Sequence, residues 1–185
     1  MQYIDSTICP GVGIIITGYI GLGGTAVLAR QFREKIDAYY PGYLSVSAAK
    51  YDETIIPQQS RATEILKPLL DIEINEGGLL TALWELAKTI GIGFELDMRK
   101  IPIKQETVEI CELLEVNPYH LESGGAHILL VNDGESEVIE LAKQGINAVL
   151  VGFTNSSKAH VLNNDGVVSH INRPEPDELT RLGLK

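Results

Sequence analysis

The chain of 185 residues is short of cysteine, of basic residues and of long apolar runs, and each shortage excludes a class of protein. With only two cysteines, Cys9 and Cys111, a secreted scaffold held by several disulfides is excluded. Acidic residues outnumber basic ones by 25 to 15, and the net charge of −10 repels nucleic acid and anionic lipid. Aliphatic runs such as Ile14-Ile15-Ile16 are far too short to cross a bilayer. These shortages, and the lack of a signal peptide, predict a cytoplasmic protein with no nucleic acid or membrane partner.

The sequence motifs of self-contained nucleotide and metal sites are also missing. No Gly-Lys-Ser/Thr follows a glycine turn, which excludes a P-loop, and the dinucleotide fingerprint is absent as well. The four histidines have no partners at the spacings typical of metal ligands. Cys111 is flanked by Glu109 and Glu112, which disfavour the thiolate that a nucleophile needs. A complete enzyme acting alone is therefore disfavoured.

Apolar periodicity predicts strands alternating with helices. Residues 12–19 are β-branched and typical of a buried strand, and residues 26–38 form an amphipathic helix. A second strong helix runs from Leu79 to Ile90, and Asn163-Asn164-Asp165-Gly166 indicates a hairpin turn. This alternation predicts an α/β (or α+β) fold, a mixed sheet covered by helices on both faces.

The chain is predicted to form one domain over residues 1–185. We expect a leader over 1–10 and an extended tail over 172–185, where prolines break regular structure. Residues 39–62 are polar and predicted to be a loop with short helical pieces. No repeat, linker or low-complexity stretch divides the chain.

Two glycine turns share one design, in which a β-rich run meets glycines and a helix follows at once. They are Gly21-Leu22-Gly23-Gly24-Thr25 and Asn75-Glu76-Gly77-Gly78. Free N–H groups at a helix start attract phosphate or carboxylate, and glycine lets the anion approach closely. Ser123-Gly124-Gly125 is a third turn that could face the same cleft. Glycine also serves simply to make a turn, so both interpretations stay open at all three places.

Three carboxylates, Asp71, Glu73 and Glu76, lie within six residues of each other. Together with a ligand phosphate they could bind Mg²⁺, because carboxylate oxygens are the ligands that this ion prefers. A solvated turn explains the same cluster without a ligand. Glu76 also stands where a cation would favour phosphate.

The order of these motifs resembles the C-terminal domain of the AIR-synthetase-like (PurM/HypE) enzymes, nearest to the hydrogenase-maturation carbamoyl dehydratases. The segment from Gly13 to Ala29 resembles the opening strand and helix of that domain. Residues 75–97 and 101–119 continue the similarity, and Ser123-Gly124 falls at the family's loop before the next strand. The similarity extends from about residue 10 to residue 178 in total. The resemblance implies a partly ferredoxin-like sheet whose glycine turns face substrate or phosphate.

The resemblance also implies a missing component. In the intact enzymes a separate N-terminal domain supplies metal-binding aspartates and forms the ATP site across a dimer. Three positions depart from the family: Glu76 replaces a frequent arginine, Gly23 replaces a common glutamate, and no cysteine stands near Lys185, where the carbamoyl group would be carried. The resemblance therefore implies ATP and Mg²⁺ only if a partner supplies the ATP-binding domain.

The sequence leaves two hypotheses for function, each with its own partner. In the first, the chain binds a phosphate-bearing or nucleotide-like molecule, or completes the cleft of a separately encoded ATP-binding partner. In the second, it is a self-associating or regulatory module without a ligand, most simply a homo-oligomer. Catalytic residues and metal ligands cannot be named. The candidate ligand-binding residues are Gly21, Gly23, Gly24, Thr25, Glu73, Asn75, Gly77, Gly78, Ser123 and Gly124.

Overall fold

A mixed seven-stranded sheet organises the described part of the chain, which in this computed structural model comprises residues 8–59 and 61–185. The predicted leader therefore lies outside the described residues up to position 7. The strand order is β2-β4-β1-β5-β3-β6-β7; neighbours are antiparallel except β3 and β6, which are parallel. The strands are β1 (Gly13–Thr17), β2 (Leu70–Glu73), β3 (Gly93–Asp97), β4 (His127–Val131), β5 (Ala148–Asn155), β6 (His160–Asn164) and β7 (Val167–His170).

Helices cover both faces of the sheet, as the sequence predicts. Ile14 and Ile16 point toward α7, with Leu79 and Leu83 in the same core cluster. Ile15 points to the opposite face, where it packs with Leu141 of α9. The helices are α1 (Leu22–Gln31), α2 (Arg33–Tyr39), α3 (Tyr43–Ala48), α4 (Tyr51–Thr54), α5 (Ile56–Gln59), α6 (Ala62–Ile65), α7 (Gly78–Ile90), α8 (Gln105–Leu114), α9 (Gly134–Lys143) and α10 (Glu178–Arg181).

Two predicted elements differ from the structure. The helix predicted over 26–38 begins four residues earlier, at Leu22, and is interrupted at Phe32, whose φ of −110° and ψ of 24° are not helical. The predicted extended tail, residues 172–185, ends in the short helix α10. Burial of Leu179 against the α1–α8 layer explains that helix, because an apolar side chain gains from leaving water.

Coverage of the sheet is uneven between its two halves. The inner strands β1 and β4 are buried along their whole length, whereas β7 is exposed at all four positions. Phe153 of β5 and Val168 of β7 are 49% and 55% exposed. The β3-β6-β7 half therefore presents an uncovered face.

Candidate functional site

The first glycine turn leads from β1 into α1 and is sealed by the chain's own main chain. The N–H of Gly23 donates to the carbonyl oxygen of Ser123 at 3.2 Å, and that of Gly24 donates to the carbonyl oxygen of Glu122 at 3.0 Å. Ahead of the helix, the N–H of Gly21 donates to the buried hydroxyl of Ser123 at 2.9 Å. The amides that the sequence predicts to receive an anion are thus already paired within the protein.

Close packing explains the glycines of this turn. A Cβ on Gly24 would lie 2.6 Å from the Leu121 side chain, which leaves no room for it. Thr25 is fully buried; its hydroxyl donates to the Gly21 carbonyl at 2.6 Å and lies within hydrogen-bond distance, 3.1 Å, of the Thr107 hydroxyl, which can donate to it. Gly21, Gly23 and Gly24 therefore pack and hydrogen-bond against the 118–123 segment, and Thr25 links α1 to Thr107 of α8.

The second glycine turn, before α7, is sealed by a side chain instead. The N–H of Gly77 donates to a carboxylate oxygen of Asp177 at 3.1 Å. Gly77 and Gly78 both adopt left-handed backbone, with φ of 80° and 67°, which glycine tolerates best. A Cβ on Gly78 would lie 2.5 Å from the carbonyl oxygen of Tyr119, so the turn also packs tightly on this side.

Asp177 occupies the position that an external anion would take at this turn. It is 2% exposed and accepts three backbone N–H groups, from Gly77, from Glu122 at 3.2 Å and from Leu179 at 2.9 Å. A carboxylate near a helix N-terminus is stabilised by the helix dipole. The tail therefore supplies an internal anion to the turn.

The rest of the tail is tied to the same region. Glu178 accepts the N–H of Asn117 at 3.1 Å and pairs with Arg181. Lys185 donates to Glu122 at 2.5 Å; the pKa of Lys185 is raised, with desolvation opposing the carboxylates of Glu122 and Asp177. These contacts hold the tail against the second glycine turn and the 115–122 segment.

The two polar residues that precede the second turn, Glu73 and Asn75, lie elsewhere. Both are exposed and line a groove of about 530 Å³ along β2, together with Asp71 and His127. The ring Nδ1 of His127 lies 2.7 Å from a carboxylate oxygen of Asp71. His127 is 9% exposed, so its burial is compensated by this hydrogen bond.

The acidic and histidine side chains of this region do not form a cluster of metal ligands among the described residues. Across residues 8–59 and 61–185, no group of three histidine, cysteine, aspartate or glutamate side chains is placed to hold a metal ion. Burial raises the pKa of the Cys111 thiol to about 12, with Glu178 contributing, so this cysteine is no nucleophile near neutral pH.

The structure thus brings most of the predicted residues together and separates two of them. Gly21, Gly24 and Gly78 all pack against the 118–123 segment, to which Ser123 belongs, and Gly124, with a φ of 72°, turns that segment toward β4. Sequence reasoning missed Asp177 and the Asp71–His127 pair. The run Asp177-Glu178-Leu179 is typical of a helix N-cap and could have identified Asp177. No local sequence pattern indicates the Asp71–His127 pair.

Comparisons with known proteins agree with this architecture. The family model for the AIR synthase related protein, C-terminal domain, matches residues 10–163. Carbamoyl dehydratase HypE of Cupriavidus necator is 28% identical over 136 residues, covering 74% of this chain and 37% of the relative.

Solved structures of HypE share the fold. The crystal structure of E. coli HypE, a hydrogenase maturation protein, has a TM-score of 0.73 at 19% identity. The match covers 98% of this chain and 56% of the E. coli chain. A crystal structure of HypE in complex with ATP has a TM-score of 0.66 at 16% identity. The match covers 95% of this chain and 54% of the HypE chain. The chain thus spans roughly half the length of such proteins. Within the described residues, no helix is long and apolar enough to span a membrane.

Proposed function

The chain belongs to the AIR synthase related C-terminal domain family, and on that premise we propose that it completes the nucleotide cleft of an ATP-binding domain carried by another chain. Its role is then to close the cleft, while the partner holds ATP and Mg²⁺. The proposal also places the chain in the cytoplasm, where the ATP for such a partner is available. The phosphate-bearing molecule of the sequence-based hypothesis is, in this proposal, the nucleotide bound by the pair.

The observation that carries the proposal is the internal pairing of both glycine turns. The amides of Gly23, Gly24 and Gly77 donate to oxygen atoms of this same chain, and so they offer no phosphate cradle of their own. Phosphate binding by the isolated chain would have to replace these bonds. A partner that brings its own phosphate ligands needs no such replacement.

Charge supports the same division of work. Glu76 is exposed beside the second turn, and Glu73 and Asp71 lie in the adjacent groove. Carboxylates at these positions repel the phosphates of a nucleotide unless a cation held by the partner lies between them. A HypE protein of the same fold has been crystallised with ATP, which is consistent with a nucleotide role for the two-domain form.

Calorimetry with MgATP tests this proposal on three proteins: the chain alone, the N-terminal half of C. necator HypE alone, and a chimera of that half with this chain in place of its own C-terminal half. We expect no binding by the chain alone, and tighter binding by the chimera than by the isolated half. Binding of ATP by the chain alone, or equal affinities of the chimera and the half, would contradict the proposal.

Self-association is the second candidate function, and the uncovered sheet face favours it. Phe153 and Val168 are exposed on the same face of the sheet, and an exposed apolar face is often covered by a partner subunit. Light scattering after size exclusion should then give a homodimer that Val168→Lys converts to a monomer. Val108→Lys on α8, where valine is 41% exposed, is the matched control and should leave the dimer intact. A monomer at all concentrations would remove this candidate.

A further inference from the structure

The groove along β2 has a shape that suits an extended chain. Its lining comes from both sides of the strand: Asp71, Glu73 and His127 lie on one face, because the register pairs Glu73 with His127. Glu85 and Thr89 of α7 form the wall on the other face. Because residues from both faces of β2 line the groove, the backbone at the edge of β2 forms its floor.

That edge carries unpaired main-chain groups. Within the described residues β2 pairs only with β4, so it ends the sheet. The N–H of Ile74 donates to the carbonyl oxygen of Ala126, which directs the backbone groups of Ile74, and by alternation those of Ile72, toward β4. The N–H and C=O of Asp71 and Glu73 consequently point into the groove, where an added strand can bond to them.

The side chains of the groove select the charge of its occupant. Asp71, Glu73 and Glu85 line it, and among the described residues neither lysine nor arginine does. The ring of His127 is held against Asp71, with Nδ1 at 2.7 Å from the carboxylate. A segment that bears lysine or arginine complements these three carboxylates on both walls, because alternate residues of an added strand face opposite sides.

The same carboxylates disfavour a second copy of this chain. Two antiparallel copies of β2 would bring Asp71 and Glu73 of one copy against those of the other, and like charges opposite each other are destabilising. Charged residues are a common protection of edge strands against self-pairing. The other edge, β7, reads Val-Val-Ser-His and lacks such protection, so the acidic edge is specific to β2.

We propose that this groove is a docking site for an extended, lysine- or arginine-rich segment of a partner protein, which adds to the sheet as a strand beside β2. Backbone bonds to Asp71 and Glu73 provide the strand pairing, and the carboxylates provide the preference for basic side chains. The site requires no nucleotide, so its success or failure is independent of the ATP proposal.

Amide hydrogen exchange by NMR on the intact chain tests the site directly. The probe is a blocked hexapeptide of alternating valine and lysine, and a valine–glutamate hexapeptide is the charge control. A valine–lysine peptide with a central proline is the strand control, because proline cannot complete the ladder. We expect only the first peptide to slow exchange at Asp71 and Glu73. Equal protection by the glutamate peptide, or none by the lysine peptide, overturns the proposal.

Charge reversal in the groove supplies a second readout. Glu73→Lys turns attraction into repulsion at an exposed site and should weaken binding of the valine–lysine peptide about threefold to tenfold. Glu34→Lys, on the exposed surface of α2, changes the net charge equally and should leave the affinity unchanged. If the two variants lose affinity alike, the peptide responds to overall charge and the groove is not its site.

Discussion

The two glycine turns have the same design in sequence but are closed in different ways. At α1, the amides of Gly23 and Gly24 pair with main-chain oxygens of the 122–123 segment. At α7, the amide of Gly77 pairs with the side chain of Asp177, which lies 100 residues further along the chain. A main-chain acceptor cannot leave without a change in the backbone around it, whereas a side chain can leave by a change of rotamer. The sequence of a glycine turn therefore does not reveal which atoms accept its N–H groups.

Alanine at Gly78 is the substitution with the largest expected effect, because it attacks both the backbone and the packing of the α7 turn. A left-handed residue other than glycine costs about 1–2 kcal/mol, and forcing a Cβ against the Tyr119 carbonyl adds about 1–3 kcal/mol. Gly91 is the matched control, since its φ is also 67° but its Cβ would meet nothing within 4 Å. Urea unfolding should show a clearly larger loss for Gly78→Ala than for Gly91→Ala. Equal losses would mean that the turn is not tightly packed.

Removal of the Asp177 carboxylate is expected to have the next largest effect. Asp177→Ala leaves the amides of Gly77 and Glu122 without their acceptor and should lower the free energy of unfolding by about 1–3 kcal/mol. Asp177→Asn keeps one acceptor oxygen and should lose less. Thermal and urea unfolding of the three proteins measure the difference, and an unchanged stability of Asp177→Ala would show that the tail does not cap the turn.

Loss of the Ser123 hydroxyl should have a smaller effect than loss of the Asp177 carboxylate. Ser123→Ala removes one acceptor, that of the Gly21 amide, while the main-chain bonds to Gly23 and Gly24 remain. The expected loss of stability is about 1 kcal/mol. A loss as large as that of Asp177→Ala would erase the distinction between a turn closed by main chain and one closed by a side chain.

The rate at which a reagent labels the thiol of Cys111 measures how often the tail opens. The thiol is buried in one cluster with Leu179, and its pKa of about 12 keeps it protonated and slow to react at pH 8. In a Cys9→Ser background, labelling by a disulfide reagent should be slow in the wild type, faster in Asp177→Ala and unchanged in Ser123→Ala. If Ser123→Ala accelerates labelling as much, opening is not confined to the tail.

The same thiol gives a pH dependence of defined sign. The unfolded thiol ionises above its ordinary pKa of 9, whereas the folded one stays protonated up to about 12. The folded state therefore binds more protons in this window, and the free energy of unfolding falls as the pH rises from 9 to 12. Replacement of Cys111 by alanine should flatten that part of the stability curve.

Local signals predicted the fold far better than the site. The fully buried runs of β1 and β4 and the apolar face of α7 are readable from periodicity, and the hairpin from Asp165-Gly166. Which oxygen closes a turn depends on contacts between distant parts of the chain, such as Ser123 with Gly21 or Asp177 with Gly77. The groove along β2 exists only because β2 is the edge strand of the sheet. Strand order cannot be predicted from any one segment of the sequence.

Amide exchange at the two turns tests most directly the claim that this chain closes both of them with its own oxygens. We expect the Gly23, Gly24 and Gly77 amides to be strongly protected from hydrogen exchange in the wild type. In Asp177→Ala, protection should fall at Gly77 and persist at Gly23 and Gly24. Rapid exchange of these amides in the wild type would contradict the account and would return both turns to the state of open anion sites.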